Sequence, residues 1–315
     1  MLASMNLRTT HRVNTAANIF VRIDHPDILR DEPMSYEQSS FWFLGKYLED
    51  RTAFNITFWV EVKGSIDASR LEKAVDLVAQ GHEALRTVFT TNENGPCQRI
   101  MKTPKFRLTQ HPVQSREEFL EVFTSLKSHV FDIENGDTIK LVLCEQSEKV
   151  FYFALGFHHI LMDGTSTNVL FANLQQAYND GVFPAPALQY PDWAAKQRAY
   201  VESPDSTVDK TYWSRELATI PPALPLFPMS SQGSRKTLRR YHMLRASANL
   251  GADMTARVKE RCRNLKISPA YFHLAVWKTL LFRFLNTDHV CLGINDMNRT
   301  DTKDAGKETV LLPTP

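Results

Sequence analysis

The sequence predicts an α/β protein, in its α+β two-layer form, built as two lobes. Three observations carry that expectation. Runs of strand character, such as AFNITFWVEVKG from Ala53 to Gly64, alternate apolar and polar residues, whereas Asp67–Leu85 repeats Leu71, Ala74, Val75, Leu77 and Val78 at helical spacing. Both kinds of run occur in both halves of the chain. Between the halves Pro184, Pro186 and Pro191 break the pattern, which places a boundary around residues 180–205.

Taken in order, residues 1–32 read as a disordered leader, because they lack the long apolar core of a secretory signal. The strand over Ala53–Gly64 is followed by a helix for which Asp67 is the N-cap. RTVFTTNENGPCQRI then reads as two short strands around a turn at Asn92–Pro96, and a helix is expected over Glu117–Val130. TIKLVLCEQSEKVFYFALGFHH is a hairpin turning near Gln146–Glu148. Its second arm, Val150–Phe157, is apolar almost throughout, as a central strand buried on both faces should be. A helix follows over Ser166–Asn179. These elements make a first lobe of residues 33–180. The second, 181–315, holds helices within Tyr190–Ser203 and Ser206–Ile220 and a proline-rich connection. Beyond that come a strand over Arg239–Ser247, helices over Met254–Leu265 and Ser268–Leu285, and a strand over Asp288–Asp296.

With 315 residues, 43% of them hydrophobic, and a net charge of +2, the chain can bury a sizeable core and carries no charge excess aimed at nucleic acid or a membrane. Its densest basic group, Arg235, Lys236, Arg239 and Arg240, is short and reads as a solvated loop. No uninterrupted apolar stretch is long enough to span a bilayer. Cys97, Cys144, Cys262 and Cys291 are too far apart for a CxxC site; Cys144 and Cys291 lie in strand-like apolar runs, and a reducing, cytoplasmic setting is expected.

The chemistry concentrates in FALGFHHILMDGTSTNVLF, Phe153–Phe171. Side chains alternate along a strand, so only one of His158 and His159 can face a given cleft. Asp163 falls in the turn before the next helix, where a carboxylate can hold the loop. Gly164 permits close backbone approach or an unusual φ/ψ, and its N–H at a helix start could meet a developing negative charge. Together these give a base, a rigid turn and an oxyanion donor. Spacing alone leaves two other readings open, a satisfied structural histidine and an HxxxD metal lookalike without a third ligand.

The HHxxxDG pattern at His158–Gly164 resembles the motif of condensation domains of nonribosomal peptide synthetases, in the superfamily of chloramphenicol acetyltransferase. Further signatures follow in family order. SYEQSSFWFL (Ser35–Leu44) is similar to SxAQxRLWFL, and GHEALRTVF (Gly81–Phe89) to RHExLRTxF. QYPDWAAKQ (Gln189–Gln197) resembles YxDYAxWQ, and YWSREL (Tyr212–Leu217) is another landmark. FWFLGKYLEDRTAFNITF with GINDMNRTD looks most like the domains that follow fungal reducing polyketide synthases in hybrid enzymes.

The resemblance implies two chloramphenicol acetyltransferase-like lobes in a V, with a tunnel between them. Acyl and aminoacyl groups would enter on phosphopantetheine arms of acyl and peptidyl carrier proteins, with no directly bound cofactor. His159 would orient the acceptor amine or take its proton, and Gly164 would lie beside the reacting carbonyl. Asp163 would hold the loop with Arg86 as its partner, and His158 would be a packed histidine bonded to backbone. Tyr36, Trp42, Phe43, Trp193, Tyr212 and Trp213 would be packing residues. Ser40 and Gly81 stand where the family has arginine, departures expected to weaken the polar framework of the site. The sequence after Val290 departs too, so the second lobe is expected to be incomplete and to expose the apolar Tyr271–Leu285 helix. An inactive remnant that binds carrier protein, and an acyltransferase using acyl-CoA, are the competing functions; the later DFGWG motif of the plant enzymes of that second kind is absent.

Overall fold

The computed structural model describes residues 27–231, 233–234, 246–287 and 289–294. The leader up to residue 26, the basic group at 235–240, most of the strand expected over 239–247 and the sequence after residue 294 lie outside the described residues.

The first lobe is organised by a four-stranded sheet in the order β2 (Asn55–Lys63), β7 (Val150–His158), β6 (Ile139–Ser147), β5 (Leu108–Pro112). β2, β7 and β6 pair antiparallel and β5 joins β6 in parallel. A smaller antiparallel sheet orders β1 (Ile28–Pro33), β4 (Gly95–Met101) and β3 (Thr87–Asn92). The helices are α1 (Tyr36–Tyr47), α2 (Ala68–Gly81), α3 (Arg116–Lys127), α4 (Gly164–Asp180), α5 (Tyr190–Glu202), α6 (Thr207–Glu216), α7 (Gly251–Leu265) and α8 (Pro269–Leu285). No helix among the described residues is long and apolar enough to cross a membrane.

β7 is buried on both faces, from Phe151 to His158. Phe151, Phe153, Leu155 and Phe157 enter the main core with α1, α2 and α4, while Tyr152 and Ala154 enter a second cluster with Phe119 and Leu126 of α3. Gly156 lets α3 come close: a methyl there would lie 2.7 Å from the Leu126 side chain. Asp67 caps α2, accepting from the Arg70 N–H at 2.9 Å.

Four expectations need correction. β1 begins at Ile28, inside the segment read as a leader. Its sequence, ILRDEP, hides the strand because charges hold it: Arg30 bonds Asp192 at 2.7 Å and also Glu83, and Arg99 grips both oxygens of Asp31 at 2.8 and 2.7 Å. β5, with only Leu108 buried, was likewise not expected. The first lobe extends past residue 180, because α5 packs on it. Tyr190 and Ala194 are core residues, the Tyr190 hydroxyl donates to Ser35 Oγ at 2.6 Å, and Gln189 bridges the Gly81 carbonyl and the Glu83 N–H. Residues 289–294 form no strand and Cys291 is exposed, since no neighbouring strand among the described residues pairs with them.

The aromatic landmarks divide by helix face. Phe41 and Trp42 are buried, but Phe43 is 67% exposed and Tyr36 is also exposed, because these two, seven residues apart, share the outward face of α1. Trp193 stacks on Tyr190, whereas Tyr212 and Trp213 lie on α6, which buries nothing. On α8, Tyr271, Val276 and Trp277 are exposed and only Leu281 is buried, the exposure expected of that helix.

Gly81 has a packing reason. A methyl there would sit 2.7 Å from the Phe183 ring, which folds back onto the end of α2. Gly81→Ala should therefore destabilise by about 1–3 kcal/mol. In a Phe183→Ala background the same change should be neutral or stabilising by a few tenths, since alanine is the better helix former. Urea unfolding of the four proteins checks this; an equal cost in both backgrounds would contradict it.

Candidate active site

The site is the end of β7 and the turn into α4. Two backbone bonds hold it: the His158 N–H donates to the Thr138 carbonyl at 3.0 Å, and the His159 N–H to the Phe54 carbonyl at 2.8 Å. Between the histidines and Asp163, Ile160, Leu161 and Met162 are almost fully buried, which pins the turn to the core.

The two histidines have different surroundings. His158 is buried, its Nδ1 accepts from the Ile160 N–H at 3.1 Å, and its ring meets Phe54 edge-on. Burial, and then the neighbouring His159, push its pKa down to about 4. His159 is half-buried and lies flat on the Phe41 ring, centroids 4.9 Å apart and planes 18° from parallel. Its Nδ1 is buried with no hydrogen-bond partner among the described residues.

Asp163 is buried and caps α4: its Oδ1 accepts from the Ser166 N–H at 2.7 Å, and its carbonyl accepts from Thr167. The expected pair with Arg86 does not form. Arg86 closes the 3-10 turn Glu83–Arg86 before β3, beside the smaller sheet. There its guanidinium donates to the Met101 carbonyl at the end of β4 and lies 3.8 Å from Glu83. Gly164 is the exposed first residue of α4, and its φ is not left-handed. A methyl there would meet no described atom within 4 Å. Neither conformation nor packing among the described residues requires glycine.

The departures at Ser40 and Gly81 leave no gap. Ser40 is exposed and bonds the Tyr36 carbonyl, Phe183 fills the space beside Gly81, and Arg198 of α5 ties α1 through the Met34 carbonyl and Ser39. The sequence reading missed Phe41, Phe54 and Thr138, which support the histidines. Phe41 lay in view, at the leucine position of the first motif.

His82, from the second motif, is also buried; it faces the Asn173 amide at 2.8 Å, and burial pushes its pKa down to about 4. Both His82 and His158 are neutral when folded and gain a proton near 6.5 when unfolded. Their contribution is thus complete above about pH 6.5 and lost as pH falls towards 4, by up to about 3 kcal/mol each. Urea midpoints measured between pH 7.5 and 4.5 should fall steadily below 6.5; a flat profile would contradict the burial of both rings.

Comparison with known proteins agrees with this geometry. The condensation-domain family matches residues 29–310. The chain is 39% identical over 282 residues to the hybrid PKS-NRPS synthetase gkaA of Penicillium citrinum and 33% identical over 286 residues to a polyketide synthase-nonribosomal peptide synthetase of Aspergillus clavatus. These matches take in 89% and 90% of the chain. The chain spans only 7% of the length of either relative. It superposes on the condensation domain of the monacolin K polyketide synthase MokA with a TM-score of 0.77 and 28% identity, over 90% of this chain and 66% of that one. With that family's model matching nearly the whole chain and these relatives spanning it, the chain belongs to the condensation-domain family.

Proposed function

We propose that the chain is a condensation-type acyltransferase of secondary metabolism, joining a carrier-bound acyl thioester to a carrier-bound amine, or in some cases a hydroxyl. The observation that carries this reading is the contrast between the histidines. The His158 ring is engaged with the Ile160 amide, while the His159 ring makes no hydrogen bond to any described residue. His159 is the catalytic residue. It receives the proton as the amine nitrogen attacks the thioester carbon and passes it to the departing sulfur; the C–N bond forms, the C–S bond breaks, and the donor arm leaves as a thiol. Gly164, at the positive end of α4, gives the carbonyl oxygen room and an N–H donor. Asp163 keeps that helix start in place.

The protein binds no cofactor of its own in this reading; acyl and peptidyl carrier proteins present the substrates on phosphopantetheine arms, in the cytoplasm. The relatives, polyketide synthase–nonribosomal peptide synthetases, support a polyketide acyl donor and an aminoacyl acceptor.

His159→Ala should fold normally and lose at least about a hundredfold in amide formation between carrier-bound substrates. His158→Ala should mainly lower stability. Product analysis by mass spectrometry, with thermal melts alongside, checks both. Unchanged turnover in His159→Ala would refute the assignment, turnover with free acyl-CoA alone would favour a different acyl donor, and carrier binding without turnover would indicate a remnant.

A further inference from the structure

Hydrogen-bonded catalytic imidazoles are commonly oriented through the nitrogen that does not react, by a carboxylate or carbonyl partner that also selects the tautomer. His159 lacks that device: Nδ1 is buried and has no partner among the described residues. Something else must set the plane of the ring. The candidates are the groups that touch it. Backbone is held by Phe54, whose carbonyl accepts from the His159 N–H at 2.8 Å. The ring face is held by Phe41 alone among the described aromatic contacts, at 4.9 Å and 18°. Phe41 is itself fixed: it is a core residue of α1, 9% exposed, with Phe54 edge-on to it at 5.2 Å.

We infer that Phe41 is the positioning residue of the site, setting the His159 imidazole plane by ring stacking in place of a hydrogen bond to Nδ1. This rests on the proposed role of His159. Leucine keeps the site apolar but is smaller and offers no flat face, so the ring would gain freedom to turn about its χ2 axis, which a broad torsional well permits. Stacked aromatic pairs prefer defined, near-parallel geometry at this separation, so the lost constraint is directional as well as hydrophobic.

The test pairs Phe41→Leu with Phe41→Tyr in the full chain and reads two signals. The first is the 15N-edited NMR spectrum of the histidine rings, with His159 assigned by His159→Gln. Wild type and Phe41→Tyr should show the ring-current displacement of a stacked imidazole, and Phe41→Leu should lose it while keeping its fold. The second is steady-state condensation of carrier-bound substrates. For Phe41→Leu, kcat should fall about ten- to a hundredfold with KM unchanged, and Phe41→Tyr should retain most of it. Equal kcat and an unaltered ring spectrum in Phe41→Leu would overturn the inference. So would an averaging, unstacked ring in wild type, a measurement that decides the matter even if Phe41→Leu does not fold. A wild-type protein with the stacked spectrum but no turnover would instead sink the proposed function and leave the positioning intact.

Discussion

Burial of β7 on both faces is the constraint from which the site follows. Its backbone pairs with β2 on one side and β6 on the other, register unbroken against β2 from Asn55↔His158 to Lys63↔Val150. Its side chains enter two separate clusters. A strand fixed in this way cannot slip by one residue without turning every side chain to the wrong face. The alternation therefore reaches the strand end intact, and the two histidines inherit opposite fates from it. His158 goes to packed structure and spends its ring on the turn. His159 goes to the α1 side and stacks on Phe41.

Much of this was legible beforehand, for physical reasons that differ by element. The Val150–Phe157 run is too apolar to be anything but a central strand, and Asp67 and the α2 periodicity are local signals that tertiary packing did not override. β1 and β5 were illegible because they are held by ion pairs and by parallel edge pairing rather than by an apolar face. The Arg86–Asp163 pair was assigned by elimination within one motif, which says nothing about distance. Arg86 belongs to the smaller sheet and finds a backbone carbonyl there. Within SYEQSSFWFL, taking Tyr36, Trp42 and Phe43 alike as packing ignored the helical period that turns Tyr36 and Phe43 outward while Phe41 and Trp42 go in.

The family's two missing arginines show how a fold accommodates such losses. Space beside Gly81 is taken by Phe183, and the turn before α1 is tied down by Arg198 from α5, a helix that belongs to the first lobe. Ser35, Arg198, Tyr190 and Gln189 form a continuous hydrogen-bonded seam between α1, the end of α2 and α5. α1 in turn carries Phe41, so the seam supports the ring on which His159 rests.

The central claim is that the strand end is as rigid as the strand. Native-state hydrogen exchange of the His158 and His159 amides, compared with that of Leu155 in the middle of β7, tests it most directly. The account predicts that all three exchange only through global unfolding, with the same free energy and the same denaturant dependence. Fast, denaturant-independent exchange at His158 and His159 beside a protected Leu155 would contradict it, because the site would then fray from a strand that does not hold it.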